Sequence, residues 1–323
     1  MDVKKVIIDV DVGTDDAWAL VLLLNGEARY NYKVVAITCV HGNTNVDNVV
    51  SNTLSLLSVM GRTDVPVFKG VDEPLLPPAV PHVGGNFHGE NGFGDIQFDH
   101  EVNRAPLQEE HAVSAICRLV EEHAGNIDLL FVGPLTNLAL CLKIKPQVFD
   151  QLSHLYIMGG NRKGIGNVTA AAEFNFHSDP EAACIVLRKI HRPITIMPWE
   201  TCVSQSEQLP MAWRMKDLGA GDLSPRAVAL LALLDAIEQK VYGDRPRWMP
   251  CDAFLVAAYQ KPPCAKYDAL CPVDVELQGA LTRGQMVLNR SKSGTGNVHV
   301  IRDLEDGAFK ELCRSALDDL SSN

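Results

Sequence analysis

Short apolar runs alternate with amphipathic segments along most of this chain. Continuous apolar runs typical of buried strands lie near residues 5–9, 33–39, 128–132, 155–158 and 194–197. Segments with helical periodicity lie near 15–24, 46–60, 107–123, 135–142 and 180–190. This alternation predicts an α/β fold in which helices flank a mostly parallel central sheet, with the active site at the carboxyl ends of the strands.

The rest of the chain follows a less regular pattern. The stretch 61–106 is rich in loop-forming residues. Further on, the pattern predicts helices near 225–242 and 252–259, a strand-rich segment over 272–303, and a helix near 305–319. Because no linker or break in composition divides the 323 residues, we expect a single domain over residues 1–323.

Four aspartates crowd the first junction between strand and helix: Asp9, Asp11, Asp15 and Asp16. Asp9 and Asp11 end the strand, and Thr14 is a candidate cap for the helix that follows. At an effective dielectric of about 20, two like charges roughly 4 Å apart repel by about 4 kcal/mol. Four ionised carboxylates in one pocket therefore require a divalent cation or strongly shifted pKa values. The helix dipole would explain only Asp15 and Asp16.

Further candidate groups follow the other predicted strands. They are Asn43, the carbonyl of Val132 before a glycine turn, Asn167, Glu173, Asn175 and Asp252. In an extended segment, Glu173 and Asn175 would point to the same side and suit the binding of a polyol. Asp252 is able either to cap the helix that it begins or to act as another carboxylate ligand. His88 lies in a glycine-rich loop, and a surface turn explains that loop as well as a cleft-facing position does.

Net charge and composition limit the kinds of molecule that the protein is expected to bind. The formal net charge of −11 disfavours nucleic acid and anionic membranes, because both require a basic face. Nine cysteines without a CxxC pair indicate reduced thiols in a cytoplasmic protein rather than a disulfide framework or a zinc site. No apolar run approaches the roughly 18 residues of a membrane span. We expect a small molecule and a cation as partners.

The candidate ligands offer only oxygen atoms to a metal. Carboxylates with amide and carbonyl oxygens nearby suit a hard cation, and their number favours Ca²⁺ over the smaller Mg²⁺. A bound cation beside an aspartate also makes water nucleophilic at neutral pH. The oxygen ligands therefore predict a calcium site.

These motifs resemble the nucleoside hydrolase family. The resemblance rests first on the opening Asp9-Val-Asp11-Val-Gly-Thr-Asp15-Asp16-Ala and on the segment Glu173-Phe-Asn175. It extends over nearly the whole chain through His41-Gly-Asn43, His88-Gly, Gly133-Pro-Leu-Thr-Asn137, Met158-Gly-Gly, Asn167, Asp252 and Pro272-Val-Asp-Val-Glu-Leu. It implies hydrolysis of the N-glycosidic bond of ribonucleosides to ribose and free base, by a homodimer or homotetramer.

The resemblance also implies a role for each candidate residue. Ca²⁺ would be held by Asp11, Asp16, Asp252 and the carbonyl of Val132. Asp11 would also be the general base that deprotonates a water bound to the cation. Asp9 would orient the neighbouring side chains without binding the cation itself. The substrate would contact Asp15, Asn43, His88, Met158, Asn167, Glu173, Asn175 and Asp252, with Met158 beneath the ribose ring. A carboxylate-lined pocket suits an oxocarbenium-like transition state.

One position departs from the family pattern. Many members carry a histidine directly before the late metal-binding aspartate, where it protonates a departing purine, and this chain has Cys251 there. A thiol with an ordinary pKa near 8.5 is a poorer acid at neutral pH. Cys251, His88, Trp248 and Tyr242 are therefore the candidates for activating the leaving group. The choice between purine and pyrimidine nucleosides stays open.

Two other functions fit parts of the same motifs. A haloacid-dehalogenase-like phosphatase also ends its first strand in Asp-x-Asp, and Asp9 would then be the nucleophile with Mg²⁺. That alternative gives no role to Asp15 and Asp16 or to the Glu173 segment. A non-catalytic protein that binds nucleosides or ribose is the other alternative, and it is motivated by Cys251.

Overall fold

In the described part of the chain, nine strands join into one sheet and two more form a separate antiparallel pair. The structure is a computed structural model that describes residues 3–77, 87–97, 102–305 and 307–320. Its strands are β1 (Lys4–Val10), β2 (Tyr32–Cys39), β3 (Val67–Lys69), β4 (Leu107–Gln108), β5 (Ile127–Phe131), β6 (His154–Met158), β7 (Ile194–Met197), β8 (Ala265–Tyr267), β9 (Val273–Val275), β10 (Met286–Leu288) and β11 (Val298–Leu304).

Helices connect most of these strands. They are α1 (Thr14–Asn25), α2 (Glu27–Tyr30), α3 (Val46–Met60), α4 (Ala112–Glu122), α5 (Thr136–Ile144), α6 (Phe174–Ser178), α7 (Pro180–Lys189), α8 (Trp199–Ser206), α9 (Pro225–Tyr242), α10 (Cys251–Gln260) and α11 (Ala308–Asp319). α9 has 18 residues and carries four charged side chains, at Arg226, Asp235, Glu238 and Lys240. Within the described ranges, no helix is both long enough and apolar enough to cross a membrane.

The strand order places β1 near the middle of the sheet. The order is β4-β3-β2-β1-β5-β6-β7-β11-β8. β1 pairs in parallel with β2 on one side and with β5 on the other, and the edge strand β8 is antiparallel to β11. Following the chain, β2, β3 and β4 are added on one side of β1. The later strands β5, β6 and β7 are then added on the other side of β1. In sheets of this kind, ligands bind at the carboxyl ends of the strands where the order reverses.

Two apolar cores cover the two faces of the sheet. Val6, Ile8 and Val10 of β1 join the core that is shared with α1, α3, α9, α10 and α11. Ile7 joins the opposite core, with α4, α5 and α7. Since side chains alternate along a strand, Asp9 and Asp11 follow Ile7 onto the second face. The alternation therefore delivers both carboxylates to one side of the sheet edge.

The first helix is held at its start by a carboxylate. Asp16 accepts a hydrogen bond from the backbone N–H of Gly13, with 2.8 Å between nitrogen and oxygen. Gly13 is the residue before the helix and Thr14 is its first residue, so the predicted cap at Thr14 is wrong. The reason is that an acidic side chain at the third helical position reaches back to the N-terminal backbone. Nearly all of α1 is buried, including Asp16.

The predicted α/β fold is confirmed, with local differences. β3 lies inside the stretch predicted as loops, whose residues 78–86 and 98–101 lie outside the described ones. The predicted helix over 107–123 begins later, because β4 pairs with β3 before α4 starts. Sequence patterns did not indicate α8. The segment after Glu173 forms the short helix α6 rather than extended chain, because the Glu173 carboxylate accepts backbone N–H groups of the following turn.

The buried side chain of Asp128 on β5 generates a prediction about pH. Burial raises the pKa of Asp128 from 3.8 to about 6, whereas Lys4 and the hydroxyl of Tyr259 lower it. The folded chain therefore keeps this proton to a higher pH than the unfolded chain does. The carboxyl costs stability as the pH rises from about 4 through 6. We expect Asp128→Asn to remove a cost of at most about 3 kcal/mol.

Thermal unfolding of both proteins at pH 5 and pH 8 measures this effect. Asn keeps an oxygen that can accept the Tyr259 hydroxyl, which lies 3.4 Å from Asp128 in the wild type. The Tm of Asp128→Asn relative to wild type should be higher at pH 8 than at pH 5. An equal Tm difference at the two pH values would contradict the prediction.

Candidate active site

An open cavity of about 410 Å³ lies where β1, β2, β5 and β6 end. Most residues predicted for the site line it: Asp11, Asp15, Asn43, His88, Val132, Met158, Asn167, Glu173, Asn175, Cys251 and Asp252. A volume of this order suits a small-molecule ligand. The sheet edge that the sequence predicted is therefore the one that carries the cavity.

Carboxylates from the start of α1 and the start of α10 converge beside this cavity. Oxygen atoms of Asp15, Asp16 and Asp252 all lie within 4.8 Å of one another. Burial and the neighbouring carboxylates raise the pKa of Asp16 to about 7 and the pKa of Asp11 and of Asp252 well above the usual range. Without a positive charge among them, these side chains cannot all ionise. The cluster therefore has the electrostatics of a cation site.

The atoms around the cluster fit a hard divalent cation. Oδ1 of Asp15 is buried and accepts no hydrogen bond from the described residues. The Val132 carbonyl, a predicted ligand, accepts the side-chain amide of Asn175 at 2.7 Å and keeps one lone pair. All candidate ligands are oxygen atoms, as Ca²⁺ and Mg²⁺ prefer. The three carboxylates whose oxygens lie within 4.8 Å of one another include Asp15, which the predicted ligand set did not contain.

Backbone groups hold the Asp11 carboxylate in the cavity wall. The N–H of Asn43 donates to Oδ2 of Asp11 at 2.8 Å, and the N–H of Asp11 itself donates to Asp16 at 3.1 Å. A Cβ at position 42 would lie 2.0 Å from Oδ2 of Asp11, so only glycine allows this approach. Oδ1 of Asp11 remains for a ligand or a proton.

Asp9 lies behind this layer and is fully buried. Its Oδ2 accepts the Thr38 hydroxyl at 2.5 Å and the Asn137 amide at 2.8 Å. Burial raises its pKa to about 7, although both hydrogen bonds lower it. Asp9 is not among the residues that line the cavity, so a nucleophilic role in a phosphatase is not favoured. Its contacts suit orientation of its neighbours.

Glu173 and Asn175 meet the cavity from a helix start rather than from extended chain. The Glu173 carboxylate accepts the N–H groups of Gly160, Asn175 and Phe176 at 2.7, 2.9 and 3.2 Å. The amide nitrogen of Asn175 donates to the carbonyls of Val132 and Met158 at 2.7 and 3.1 Å. Because both amide protons are used, the side-chain oxygen of Asn175 remains as an acceptor for a hydroxyl group.

The glycine-rich loop brings His88 to the cavity, so its position is the cleft-facing one and not a surface turn. The backbone N–H of Thr14 donates to Nδ1 of His88 at 3.1 Å, so the neutral ring carries its proton on Nε2. Nε2 lies 3.7 Å from Oδ1 of Asp15. Burial lowers the pKa of His88, which favours the neutral ring.

The three other candidates for activating a leaving group lie in different places. Cys251 lines the cavity, and a hydrogen bond with Cys202, together with burial, raises the pKa of its thiol. Trp248 and Tyr242 are buried and are not among the lining residues. The indole of Trp248 donates to Glu238 at 2.6 Å, and the hydroxyl of Tyr242 donates to the Met249 carbonyl at 3.1 Å. The structure does not bring these two side chains to the cavity.

Sequence patterns did not single out part of the apolar lining. Phe87, Trp199, Arg245 and Met249 also line the cavity. The guanidinium of Arg245 lies 4.6 Å from the centre of the Phe87 ring. Arg245 is an exposed loop residue just after α9, and no spacing or motif in the sequence distinguishes it from other surface arginines.

Comparisons with known proteins point to one family. The sequence profile described as "Inosine-uridine preferring nucleoside hydrolase" matches residues 6–311. A protein of that name from Crithidia fasciculata is 34% identical over 288 residues, which are 88% of this chain and 87% of that protein. A pyrimidine-specific ribonucleoside hydrolase, RihA, from Shewanella woodyi is 30% identical over 330 residues, covering 98% of this chain and 99% of its own length.

Solved structures agree with the sequence comparisons. A structure described as an inosine-guanosine nucleoside hydrolase superposes with a TM-score of 0.85 at 28% identity, covering 97% of this chain and 98% of the other. The plant nucleoside hydrolase PpNRh1 superposes with a TM-score of 0.82 at 26% identity, covering 99% and 100% of the two chains. Similarity therefore extends over the whole fold and includes the elements that form the cavity.

Proposed function

This chain belongs to the inosine-uridine preferring nucleoside hydrolase family, whose members are hydrolases that act on N-glycosyl compounds, and we propose that it cleaves ribonucleosides to ribose and free base. The observation that carries the proposal is the buried carboxylate cluster at the wall of the cavity. Cleavage of a glycosidic bond develops positive charge on the sugar. Fixed anionic groups aimed at that charge lower the barrier.

We assign Ca²⁺ to the carboxylate cluster. Asp11, Asp16, Asp252 and the carbonyl of Val132 would hold it, and Asp15 is close enough to take part. Ligands that are all oxygen, and more than four in number, favour Ca²⁺ over Mg²⁺. When bound, the cation would supply the Lewis acidity that eases deprotonation of water near neutral pH.

Asp11 is the general base in this proposal. Since Asn43 donates to Oδ2, the attacking water gives its proton to Oδ1. The hydrogen bond from the backbone N–H of Asp11 to the Asp16 carboxylate links these two proposed ligands. Asp9 supports the arrangement from behind through Thr38 and Asn137.

The ribose would lie against the polar part of the lining. Hydroxyl groups of the sugar donate to the free oxygen of Asn175 and to carboxylates of Asp15 and Glu173. Asn43 and Asn167 provide further amide groups, Asp252 and His88 complete the contacts, and Met158 packs beneath the ring. Nε2 of the neutral His88 ring lies 3.7 Å from Oδ1 of Asp15, so the two side chains would meet the sugar side by side.

The base would lie against the remaining side chains. Phe87, Trp199 and Met249 offer apolar and aromatic surface for a planar heterocycle. Among Cys251, His88, Trp248 and Tyr242, only Cys251 and His88 line the cavity. Because His88 is given to the sugar in this proposal, we assign Cys251 the contact with the leaving group. Its raised pKa keeps the thiol protonated but makes it a weak acid. A homodimeric or homotetrameric assembly and a cytoplasmic location stay predictions from the sequence.

Release of reducing sugar from a nucleoside panel tests the proposal. The panel includes inosine, guanosine and uridine, because the relatives' names cover purine and pyrimidine substrates. We expect wild-type protein to release ribose in the presence of Ca²⁺ and to lose activity after prolonged chelation. Asp11→Asn should reduce kcat by at least about 10²–10⁴-fold, the contribution of a general base.

Asp47→Asn is the matched control for that experiment. Asp47 lies on the surface, with 74% of its side chain exposed, and forms an ion pair with Lys69. The control should keep wild-type turnover. Binding of nucleosides without release of ribose would leave the chain a binding protein, and normal turnover by a folded Asp11→Asn would remove the base assignment.

Cys251 provides a second test, on the leaving group. We expect Cys251→Ala to slow hydrolysis of inosine and uridine and to spare p-nitrophenyl riboside, because that substrate has a good leaving group. Cys251→His should raise inosine turnover, since imidazole is the stronger acid near neutral pH. Steady-state kcat values for the three proteins on the three substrates measure the effect. Equal losses on all substrates would show that Cys251 only shapes the pocket.

A further inference from the structure

A fully buried ion pair lies behind the cavity, among groups that the proposed reaction does not use. Nη2 of Arg214 and Oε2 of Glu238 are 2.6 Å apart, and each side chain is only 1% exposed. Nη1 of Arg214 also contacts the carboxylate of Asp235 at 2.7 Å. Glu238 lies on α9, and Arg214 lies in a short irregular helix over 213–217.

Two tryptophans meet at the same carboxylate. The indole nitrogens of Trp18 and Trp248 both donate to Oε1 of Glu238, at 3.2 and 2.6 Å. Their rings are 5.2 Å apart in an edge-to-face arrangement, and the guanidinium of Arg214 lies 4.8 Å from the Trp18 ring and 5.7 Å from the Trp248 ring. One oxygen atom thus bridges two segments of the chain that are 230 residues apart.

Those two segments carry the carboxylates of the proposed cation site. Trp18 lies on α1 two residues after Asp16, and Trp248 lies four residues before Asp252. α9 also contacts the segment that contains Trp248 through Tyr242. The hydroxyl of Tyr242 exchanges hydrogen bonds with the backbone of Met249 at 3.1 and 3.3 Å. The Glu238 bridge therefore ties together the two segments that carry Asp16 and Asp252.

The ion pair is a costly way to fill this space. Burial raises the pKa of Glu238 to about 7 even though Arg214 lowers it. Replacing a buried ion pair with apolar side chains is often neutral or stabilising, so burial of charge is weak support for a role in stability alone. A carboxylate does, however, offer an oxygen that accepts two indole N–H groups from fixed directions.

We propose that Glu238 is a positioning residue that fixes the distance between the α1 carboxylates and Asp252 by bridging Trp18 and Trp248. This inference rests on the proposed cation site. In this proposal, Oε1 of Glu238, which accepts both indole N–H groups, fixes the distance between the carboxylates. Arg214 has a separate role, which is to neutralise the buried charge of Glu238. Affinity for the cation should therefore depend on the acceptor at position 238 and not on the ion pair.

Two double variants of the full chain separate these tasks. Arg214→Met with Glu238→Gln removes the ion pair and keeps an oxygen for the indoles. Arg214→Met with Glu238→Leu removes the ion pair and the oxygen together. Calorimetric titration with Ca²⁺ alone measures affinity without relying on turnover. Leu142→Ala is the control, because Leu142 lies in the core on the other face of the sheet. This substitution should lower stability and leave the hydrogen bonds between Glu238 and the two indoles unchanged.

The expected result is a loss of affinity in one variant only. The Glu238→Leu double variant should bind Ca²⁺ at least about tenfold more weakly, the lower end of the effect of removing outer support from a metal site. The Glu238→Gln double variant and Leu142→Ala should stay within about threefold of wild type at a temperature where circular dichroism shows each protein folded. If the Glu238→Leu protein does not fold, Trp248→Phe deletes one indole N–H and should weaken binding in the same way.

Three outcomes would overturn the inference. The first is wild-type affinity for Ca²⁺ in the double variant with Glu238→Leu. The second is an equal loss of affinity in both double variants. The third is a loss of affinity in Leu142→Ala as large as that in the double variant with Glu238→Leu. Failure of the proposed function looks different, because the wild-type protein itself would then bind no Ca²⁺. If wild type binds and all variants match it, the cation site stands and only the positioning role of Glu238 fails.

Discussion

Mutual repulsion among buried carboxylates is the constraint on which the rest of this structure depends. Asp11, Asp16 and Asp252 are almost fully buried, and Asp15 lies against them. At the distances involved, each pair of ionised groups costs several kcal/mol at an effective dielectric of about 20. Local hydrogen bonds relieve only part of this cost, because the pKa of Asp16 stays near 7 although two backbone N–H groups lower it. A divalent cation removes the conflict, and it also explains why a chain would concentrate acid at this place.

The fold brings these groups together from segments that are distant in sequence. β1 lies between β2 and β5, so the polar residues that follow the three strands share one crevice. Period-two alternation sends Val6 and Ile8 into one core and leaves Asp9 and Asp11 on the other face. α10 packs against α1 and adds Asp252 from late in the chain. Each contribution is ordinary by itself, and the chemistry arises from their convergence.

Sequence reasoning reached the sheet, most helices and most of the cavity lining, because strand periodicity and crowded acids are local signals. The pattern predicts Asp11, Asn43, Val132, Glu173 and Asp252 at one sheet edge, and all five line the cavity. Sequence reasoning failed where a side chain turns to a partner that the pattern of residues does not indicate. Trp248 and Tyr242 were predicted near the leaving group, but both turn away to bond Glu238 and the Met249 backbone. Arg245 could not be found, because nothing local separates a cavity arginine from a surface one. The extended reading of Glu173 failed because a carboxylate there caps the next turn.

The central claim is that this carboxylate cluster is built around a divalent cation. Thermal unfolding of wild-type protein in Ca²⁺, compared with NaCl at equal ionic strength after removal of metal, tests it most directly. Binding to the folded state alone stabilises by about 2.7 kcal/mol when free Ca²⁺ is 100 times its Kd. For a chain of this size we expect the Tm to rise by several degrees in millimolar Ca²⁺ and to continue rising with its concentration. An unchanged Tm over that range would contradict the account.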